Sequence, residues 1–191
     1  MMKNKIVHLT VFLLLVAGIS GMAIGYVNGV TAPVIAALDA QKLKDGYSEV
    51  YPGADDYAVR EGFVSDNPAI TGKVLAMKGG EEAGVLYTVD ASGYGGTVKL
   101  LVGFDIAEKQ VTGIKILSQA ETPGLGANCA NTWFAERYMG KSAAEDLAVV
   151  KVETTDPGEV QAITAATITS NGVTAGVNAA RQDFAANYGS L

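Results

Sequence analysis

The hydrophobic pattern of the chain begins with an apolar stretch that carries no charge. From Ile6 to Val27 there is no Asp, Glu, Lys or Arg, whereas Lys3 and Lys5 precede the stretch. As a helix rising about 1.5 Å per residue it covers roughly 30 Å, enough to cross the hydrocarbon core of a bilayer. No charged residue follows before Asp39. This asymmetry predicts a single membrane-spanning segment, with its N-terminus in the cytoplasm and the rest of the chain outside.

A cleaved signal peptide is the alternative interpretation of this stretch, since it also has a basic start and an apolar core. The stretch is longer than the usual apolar core of a signal peptide. No Cys directly follows it to serve as a lipoprotein anchor. We therefore expect residues 1–28 to form an uncleaved, single-pass anchor in the lipid bilayer of the cell membrane.

The next segment carries the signs of a separate helix. The sequence Thr31-Ala32-Pro33 is typical of a helix start, with Thr as the N-cap and Pro in the first turn. Pro52 and Gly53 mark the end of this helix. The pattern predicts an amphipathic stalk helix over residues 29–54. Its apolar residues recur at roughly helical spacing, at Val34, Ala37, Leu38, Leu43 and Tyr47.

Beyond residue 63 the pattern changes to short runs of β-branched and apolar residues, bounded by Gly, Asp and Ser. Short turns connect these runs, which predicts an antiparallel meander of four strands. The runs are Lys73–Met77, Gly84–Val89, Gly96–Phe104 and Gln110–Leu117.

Two shorter elements follow the meander. The segment Asn131–Met139 is predicted to be a helix, with Trp133 and Phe134 in the core. The segment Leu147–Val152 is typical of another strand.

The last predicted element is a helix that begins at Ser170 as its N-cap and ends at Tyr188. Apolar residues recur there every three or four positions and form one face. Together these elements predict an α+β domain over residues 55–191, with a mostly antiparallel sheet and helices on one side.

Composition limits the classes of function. The chain has 191 residues and a net charge of −6, and without the two N-terminal lysines it holds 12 basic against 20 acidic residues. This acidic balance argues against sequence-independent binding of nucleic acid. His8 and Cys129 are the only residues of their types. A disulfide within the chain, a multi-histidine metal centre and a cysteine-held iron–sulfur site are thereby excluded, so any chemistry depends on a bound group.

Four hydroxyl residues lie just before or at the last predicted helix. A helix N-terminus presents unpaired N–H groups that suit a phosphate, and a Thr at that point can hold a phosphate or be esterified to one. No basic residue follows before Arg181, so backbone N–H groups would compensate the charge of the phosphate. Ordinary capping by Thr and Ser explains the same segment. The hydroxyl residues are Thr164, Thr167, Thr169 and Ser170, with Ala165 and Ala166 among them.

The loop Glu121–Ala127 combines an acidic residue with a Pro-Gly pair. Such a pair favours a type II turn, with Gly124 at positive φ. Gly124 and Gly126 allow the backbone to approach a flat ligand closely, with Leu125 packed against one face of that ligand. A plain loop between two elements is the alternative interpretation.

In their order along the chain, these segments resemble the FMN-binding domain family, and closely the G subunits of Rnf complexes. The resemblance rests on the N-terminal span, the stalk that ends at Tyr51–Ala54, the Gly93–Gly96 turn before Leu100–Asp105, the loop at 121–127 and the stretch at 164–170. It covers nearly the whole chain. It implies the α+β fold of an FMN-binding domain outside the membrane.

The resemblance also implies a covalently bound cofactor. Members of the family carry a motif that resembles D-x-x-[S/T]-G-A-T, whose last Thr is joined to the phosphate of FMN by a phosphoester bond. The segment 161–167 matches this motif, which makes Thr167 the acceptor and places Thr164–Ala166 beside the cofactor. Two positions depart from the motif, since Gln161 replaces Asp and Ala165 replaces Gly. Ala is a mild change at that position only if its φ is negative.

In relatives the loop that matches 121–126 lies against the isoalloxazine ring of the flavin. The resemblance therefore implies that Glu121, Thr122 and Leu125 contact the flavin. Gly124 and Gly126 would shape the loop for this approach.

The implied function is that of a membrane-anchored flavoprotein, which relays electrons between reduced ferredoxin and NAD within a translocase. Its partners would be the membrane and iron–sulfur subunits of the complex, together with a flavin transferase for maturation. Ion movement would occur in neighbouring membrane subunits, and the chain alone would catalyse no reaction. Two alternatives stay open. They are the C subunit of a sodium-pumping NADH:quinone reductase, for which the chain is short, and an anchored scaffold or binding module without a redox group.

Overall fold

One long helix, α1 (Met2–Val50), forms the N-terminal part of the computed structural model, which describes the backbone of residues 2–189 and the side chains of residues 5–189. Residues up to Lys42 form one compact unit of the chain, and residues from Leu43 onward form the other. The side chains of residues 5–42 are exposed. Part of this helix is long and apolar enough to cross a membrane, as predicted for the N-terminal anchor.

The predicted helix start at Thr31 is wrong, because α1 runs through this point without interruption. The hydroxyl of Thr31 donates a hydrogen bond of 2.9 Å to the carbonyl oxygen of Val27, within the helix, instead of capping a new one. Pro33 lies inside α1, where its missing N–H group removes one backbone hydrogen bond. The predicted end is confirmed closely, since α1 stops at Val50, just before Pro52.

The second unit is built on a five-stranded antiparallel sheet in which each strand pairs with its neighbours in sequence. The predicted meander is therefore confirmed, with one additional strand at its edge. That strand is short and mostly exposed, so it lacks the apolar run that marks the others. The strands are β1 (Asp56–Val59), β2 (Ile70–Lys78), β3 (Glu81–Ser92), β4 (Thr97–Asp105) and β5 (Gln110–Ser118).

One face of the sheet packs against α3 (Thr167–Tyr188), and the main core lies between them. Because successive side chains of a strand point to opposite faces, Leu100, Val102 and Phe104 of β4 all reach this core. The ring of Phe104 stacks on the ring of Phe184 in α3, with centroids 4.9 Å apart. The alternating pattern of the strands and the apolar face of α3 thus bury a common core.

The opposite face of the sheet is covered by residues 43–51, so the prediction of helices on one side only is wrong. Tyr47, Val50 and Tyr51 pack there in a second core that includes Leu101. The hydroxyl of Tyr51 donates a hydrogen bond of 2.7 Å to Asp105. Burial, together with this contact, raises the pKa of Tyr51. The end of α1 is thereby fixed to the sheet.

Short helical segments follow β5. The predicted helix over residues 131–139 is broken into α2 (Thr132–Ala135) and a 3-10 turn, Glu136–Tyr138, and another 3-10 turn, Gly126–Ala130, precedes it. Phe134 is buried as predicted, whereas Trp133 is 43% exposed and does not belong to the core.

Two strands of three residues each then pair in parallel, β6 (Ala148–Val150) and β7 (Glu159–Gln161). The first of them lies within the predicted strand at 147–152. The second is too short to stand out in the sequence, and it leads directly into the segment with four hydroxyl residues.

The last helix begins at Thr167, so the prediction of Ser170 as its N-cap is wrong. The hydroxyl of Ser170 instead accepts a hydrogen bond of 2.9 Å from the N–H of Ile163 and donates one of 3.0 Å to the carbonyl oxygen of Ala166. Ser170 therefore ties the first turn of α3 to the chain before it. Thr167 becomes the first residue of the helix.

Candidate functional site

A cavity of about 450 Å³ is lined by three parts of the chain: the turn between β3 and β4, the loop after β5 and the start of α3. All the site residues that the sequence predicts line this cavity except Gly124 and Thr164. The lining residues are Tyr94, Glu121, Thr122, Leu125, Gly126, Ala165, Ala166, Thr167, Ile168 and Thr169.

The loop after β5 forms the tight turn that its Pro-Gly pair predicts. Gly124 has a φ of 78°, a value that glycine adopts without steric cost. The N–H of Leu125 donates to the carbonyl oxygen of Thr122 at 3.1 Å, and the side-chain amide of Asn128 donates to that of Gly124 at 3.0 Å. These bonds hold Leu125 at the cavity, where 41% of it is exposed.

Glu121 is a buried acid at the start of this loop, with only 6% of it exposed. Its Oε1 accepts a hydrogen bond of 2.7 Å from the N–H of Gly95. Its Oε2 accepts a hydrogen bond from the hydroxyl of Thr169 in the first turn of α3. Both oxygens of the carboxylate are thus bound within the protein, to two segments that are distant in sequence.

Two glycines leave the space that the Glu121 side chain occupies, and a third, Gly95, leaves space for the backbone before it. A Cβ atom at Gly93 or at Gly126 would lie 2.3 Å from an oxygen of this carboxylate. A Cβ atom at Gly95 would lie 2.3 Å from the carbonyl oxygen of Ala120. These distances are far below van der Waals contact, so any larger residue would displace the carboxylate or the backbone beside it.

The four hydroxyl residues near α3 differ in their burial, their hydrogen bonds and their position relative to the cavity. Thr169 and Ser170 are buried, and both hydroxyls are engaged in hydrogen bonds within the protein. Thr164 is exposed but does not line the cavity. Thr167 is half-buried and lines the cavity. Thr167 is therefore the one residue of the four that lines the cavity without being buried.

The start of α3 also offers backbone donors. Within residues 2–189, no side chain caps this helix, whose N-cap residue is Ala166. The first N–H groups of a helix have no partner inside it and carry partial positive charge. The N–H groups of Thr167, Ile168 and Thr169 are therefore placed to bind an anion at the wall of the cavity.

The turn before α3 holds a residue in a left-handed conformation. Ala165 has a φ of 61°, and the N–H of Ala166 closes the turn on the carbonyl oxygen of Ile163 at 3.0 Å. Replacement of Gly by Ala at this position would be mild only with a negative φ, and the observed φ is positive. An L-residue other than Gly pays about 1–2 kcal/mol for this conformation.

Arg137 is a residue near this segment that sequence reasoning missed. Its Nη1 donates to the carbonyl oxygens of Gln161 at 2.6 Å and Ala162 at 3.3 Å. Its guanidinium group lies over the ring of Trp133, 4.7 Å from the centroid. A basic residue thus adjoins the hydroxyl segment through space, although the next one in sequence is Arg181. No local pattern signals this contact, because 24 positions separate Arg137 from Gln161.

Cys129 is fully buried in the 3-10 turn after the loop. Burial, with a smaller effect of the Glu121 carboxylate, raises the pKa of its thiol to about 11. The thiol is therefore protonated at neutral pH and serves as a small apolar residue in the main core.

The cavity fits the FMN group that the sequence resemblance implies. Its volume lies within the range of about 300–1,000 Å³ that is typical of ligand sites. Tyr94, Leu125 and Ile168 supply exposed apolar surface for a flat aromatic ring. The unpaired N–H groups at the start of α3 suit a phosphate, and the hydroxyl of Thr167 lies in the same turn.

Comparison with known proteins gives consistent matches. The FMN-binding domain family matches residues 93–182, which include every residue that lines the cavity. The G subunit of the Na(+)-translocating ferredoxin:NAD(+) oxidoreductase complex of Acetobacterium woodii is 37% identical, over 92% of this chain and 90% of its own. The G subunit of the proton-translocating ferredoxin:NAD(+) oxidoreductase complex of Clostridium ljungdahlii is 33% identical, over 93% and 91%.

Among solved structures, the C subunit of the Na(+)-translocating NADH-quinone reductase of Parabacteroides distasonis has the same fold. The TM-score is 0.56 at 21% identity, and the match covers 75% of this chain and 81% of that one. At this identity the likeness concerns the α+β fold alone. The two sequence matches span about nine-tenths of each protein. The chain therefore belongs to the family of G subunits of ion-translocating ferredoxin:NAD oxidoreductase complexes, and it contains the FMN-binding domain of that family.

Proposed function

We propose that this chain is a membrane-anchored electron-relay protein that carries FMN on Thr167 through a phosphoester bond. The observation that carries the proposal is the position of Thr167. This residue lines the cavity, is only partly buried and belongs to the first turn of α3, whereas Thr164 lies outside the cavity lining and Thr169 and Ser170 are buried.

The start of α3 supports a phosphate at this residue. A phosphodiester on Thr167 would place its oxygens beside the unpaired N–H groups of Thr167, Ile168 and Thr169. These groups, with the partial positive charge of the helix end, would stabilise its negative charge. The same groups would bind the phosphate of the incoming flavin and orient it toward the hydroxyl.

The attachment itself is a phosphoryl transfer without a change of oxidation state. The oxygen of Thr167 would form a bond to the phosphorus of an activated riboflavin phosphate, such as a flavin dinucleotide. The bond from this phosphorus to the bridging oxygen would break, and a nucleoside monophosphate would leave with that electron pair. The hydroxyl proton would pass to a base of the flavin transferase. A covalent bond of this kind prevents loss of the cofactor.

The cavity walls would determine how the flavin is held. When bound, the flavin supplies reversible electron transfer, which no side chain of this protein offers. Tyr94, Leu125 and Ile168 would pack against its ring and exclude water. Glu121 would keep the loop and the helix start in place around it, and a buried negative charge nearby would disfavour electron uptake.

The names of the relatives support a role for this electron relay in an ion-translocating complex. Two of them are named as members of complexes that translocate Na(+) or protons and act on ferredoxin and NAD(+). We propose the same type of complex here, in which membrane and iron–sulfur subunits exchange electrons with the flavin of this chain. The charge asymmetry around the N-terminal span supports an N-terminus in the cytoplasm and an FMN-binding domain on the outer side. Residues 1–28, 29–54 and 55–191 would serve as anchor, stalk and flavin domain.

The alternative role in a NADH:quinone reductase has weaker support. The solved C subunit of such an enzyme shares the fold at low identity, whereas the likeness to G subunits extends over nearly the whole length. Partners that co-purify with the tagged chain distinguish the two roles. A ferredoxin-type iron–sulfur protein among them supports the proposal, and a component of a quinone reductase contradicts it.

In-gel fluorescence tests the covalent attachment. The full chain is produced with a flavin transferase, denatured in SDS and separated on a gel. The wild type should give a fluorescent band at its own size, and Thr167→Ala should give none. Thr71→Ala, at an exposed position of β2 outside the cavity lining, is the matched control and should fluoresce like the wild type. A fluorescent Thr167→Ala band would contradict the assignment.

A further inference from the structure

The carboxylate of Glu121 links two parts of the cavity wall that are far apart in sequence. The Gly95 N–H group binds Oε1 at 2.7 Å, and the Thr169 hydroxyl binds Oε2. Gly95 belongs to the turn before β4, and Thr169 belongs to the first turn of α3. The link therefore spans the cavity wall from the turn to the helix that carries Thr167.

The surroundings of this link leave little freedom. Glu121 is 6% exposed and Thr169 is 1% exposed, so the bond between them is shielded from solvent. The carboxylate lies so close to the backbone at Gly93 and Gly126 that neither position has space for a Cβ atom. The N–H of Glu121 is also bound, to the side chain of Gln119 at 2.6 Å. The backbone and the side chain of Glu121 are both held.

We propose that Glu121 is a positioning residue for flavin attachment, which acts through Thr169 to hold the Thr167 hydroxyl at the cavity. This inference rests on the proposed function. Thr169 lies two positions after Thr167, so fixing its side chain fixes the rotation of the first helical turn. Ala165 just before it adopts a left-handed conformation, which local sequence preference does not favour. The turn therefore depends on bonds from outside to keep its conformation.

The chemistry of the bonds predicts which substitutions preserve the link. In Glu121→Gln the amide oxygen can accept from the Gly95 N–H group, and the amide NH₂ can donate to the Thr169 oxygen. In Glu121→Ala both bonds are lost. Thr169→Ser keeps the hydroxyl, and Thr169→Val removes it with little change of shape. The rate of flavin attachment should therefore depend on whether the hydroxyl at position 169 and the hydrogen bonds of residue 121 are kept, and not on the size of either side chain.

The experiment measures the initial rate of flavin attachment by intact mass, on the full chain produced together with the transferase. Glu121→Ala and Thr169→Val should attach flavin at least about tenfold more slowly, as expected when a buried hydrogen bond to a charged group is lost. Glu121→Gln and Thr169→Ser should remain within about threefold of the wild type. Phe184→Leu serves as the control for lost stability, because it weakens the core far from this link, and it should attach at the wild-type rate.

A second measurement does not need the flavin. In chain produced without the transferase, Glu121→Ala should raise amide hydrogen exchange over residues 163–170 at least about tenfold, with no change in β3. Wild-type attachment rates in Glu121→Ala, or equal slowing in Phe184→Leu, would overturn the positioning role. If the wild type itself gained no flavin, the proposed function would fail instead. In that case the exchange measurement still tests the positioning role, and unchanged amide exchange over residues 163–170 in Glu121→Ala would overturn it.

Discussion

The guanidinium group of Arg137 donates a hydrogen bond of 2.6 Å to the carbonyl oxygen of Gln161, at the end of β7. A second bond reaches the carbonyl oxygen of Ala162, which is buried. The same group lies over the ring of Trp133. Arg137 thus fixes the strand that leads into the turn before α3, and it also explains why a half-exposed Trp lies in this part of the surface.

Replacement of Arg137 by Met should lower the free energy of unfolding by about 1–2 kcal/mol, because two carbonyl oxygens lose a charged donor. Urea unfolding of the full chain in detergent measures this loss. Arg60→Met is the matched control, since Arg60 forms an exposed ion pair with Glu82, and it should change the free energy by less than about 0.5 kcal/mol. Equal effects of the two substitutions would contradict the role of Arg137.

Ala165→Gly should stabilise the protein, because glycine adopts a φ of 61° without the steric cost that alanine pays. The gain of about 1–2 kcal/mol is partly offset by the greater freedom of glycine in the unfolded chain, which leaves roughly 0.5–1 kcal/mol. The melting temperature measures the net effect. The control is Ala186→Gly, at an exposed helical position of α3, which should destabilise by about 1 kcal/mol. A destabilising effect at 165 would show that this turn does not require a positive φ.

Cys129 should make the stability of the wild type sensitive to alkaline pH. The fold raises the pKa of the thiol from 9.0 to about 11, so the folded chain holds this proton more tightly than the unfolded chain. The stability that results is complete below pH 9 and is lost as pH rises through about 11. Cys129→Ala lacks this contribution.

Urea unfolding of the wild type and of Cys129→Ala, at intervals from pH 8 to 11, tests this contribution of the Cys129 thiol to stability. The free energy of unfolding of the wild type should fall by on the order of 2 kcal/mol more than that of Cys129→Ala over that range. The ionisation of tyrosines cancels in the comparison, because both proteins contain the same tyrosines. The native thiol should also resist alkylation at pH 8 and react in urea. Parallel pH curves, or fast alkylation of the native chain, would show that the thiol is not held in the core.

Local pattern predicts the sheet well and its surroundings less well. The strands from β2 to β5 are predicted because each buries at least one face, which imposes an apolar run between turns. The continuity of α1 through Pro33 is not predicted, since the local signals at Thr31 and Pro33 favour a break. Propensity is a weak guide when a long helix can propagate through one missing hydrogen bond.

The candidate site is predicted in its parts but not in its connections. The Pro-Gly turn and the hydroxyl segment are visible as motifs, and the structure brings them to one cavity. The hydrogen bonds of Glu121 to Gly95 and Thr169, and of Arg137 to Gln161, join residues 24 to 48 positions apart. A single sequence carries no local signal for such contacts. The positive φ of Ala165 is likewise imposed by the turn, against the preference of the residue.

Intact mass, followed by fragmentation to the modified residue, tests the central claim most directly. The full wild-type chain, purified from a host with a flavin transferase, should carry the mass of one FMN less one water, located on Thr167. Thr167→Ala should have the unmodified mass, and Thr71→Ala, at an exposed position of β2, should carry the full addition. An unmodified wild-type chain from this host, or a flavin located on any residue other than Thr167, would contradict the account.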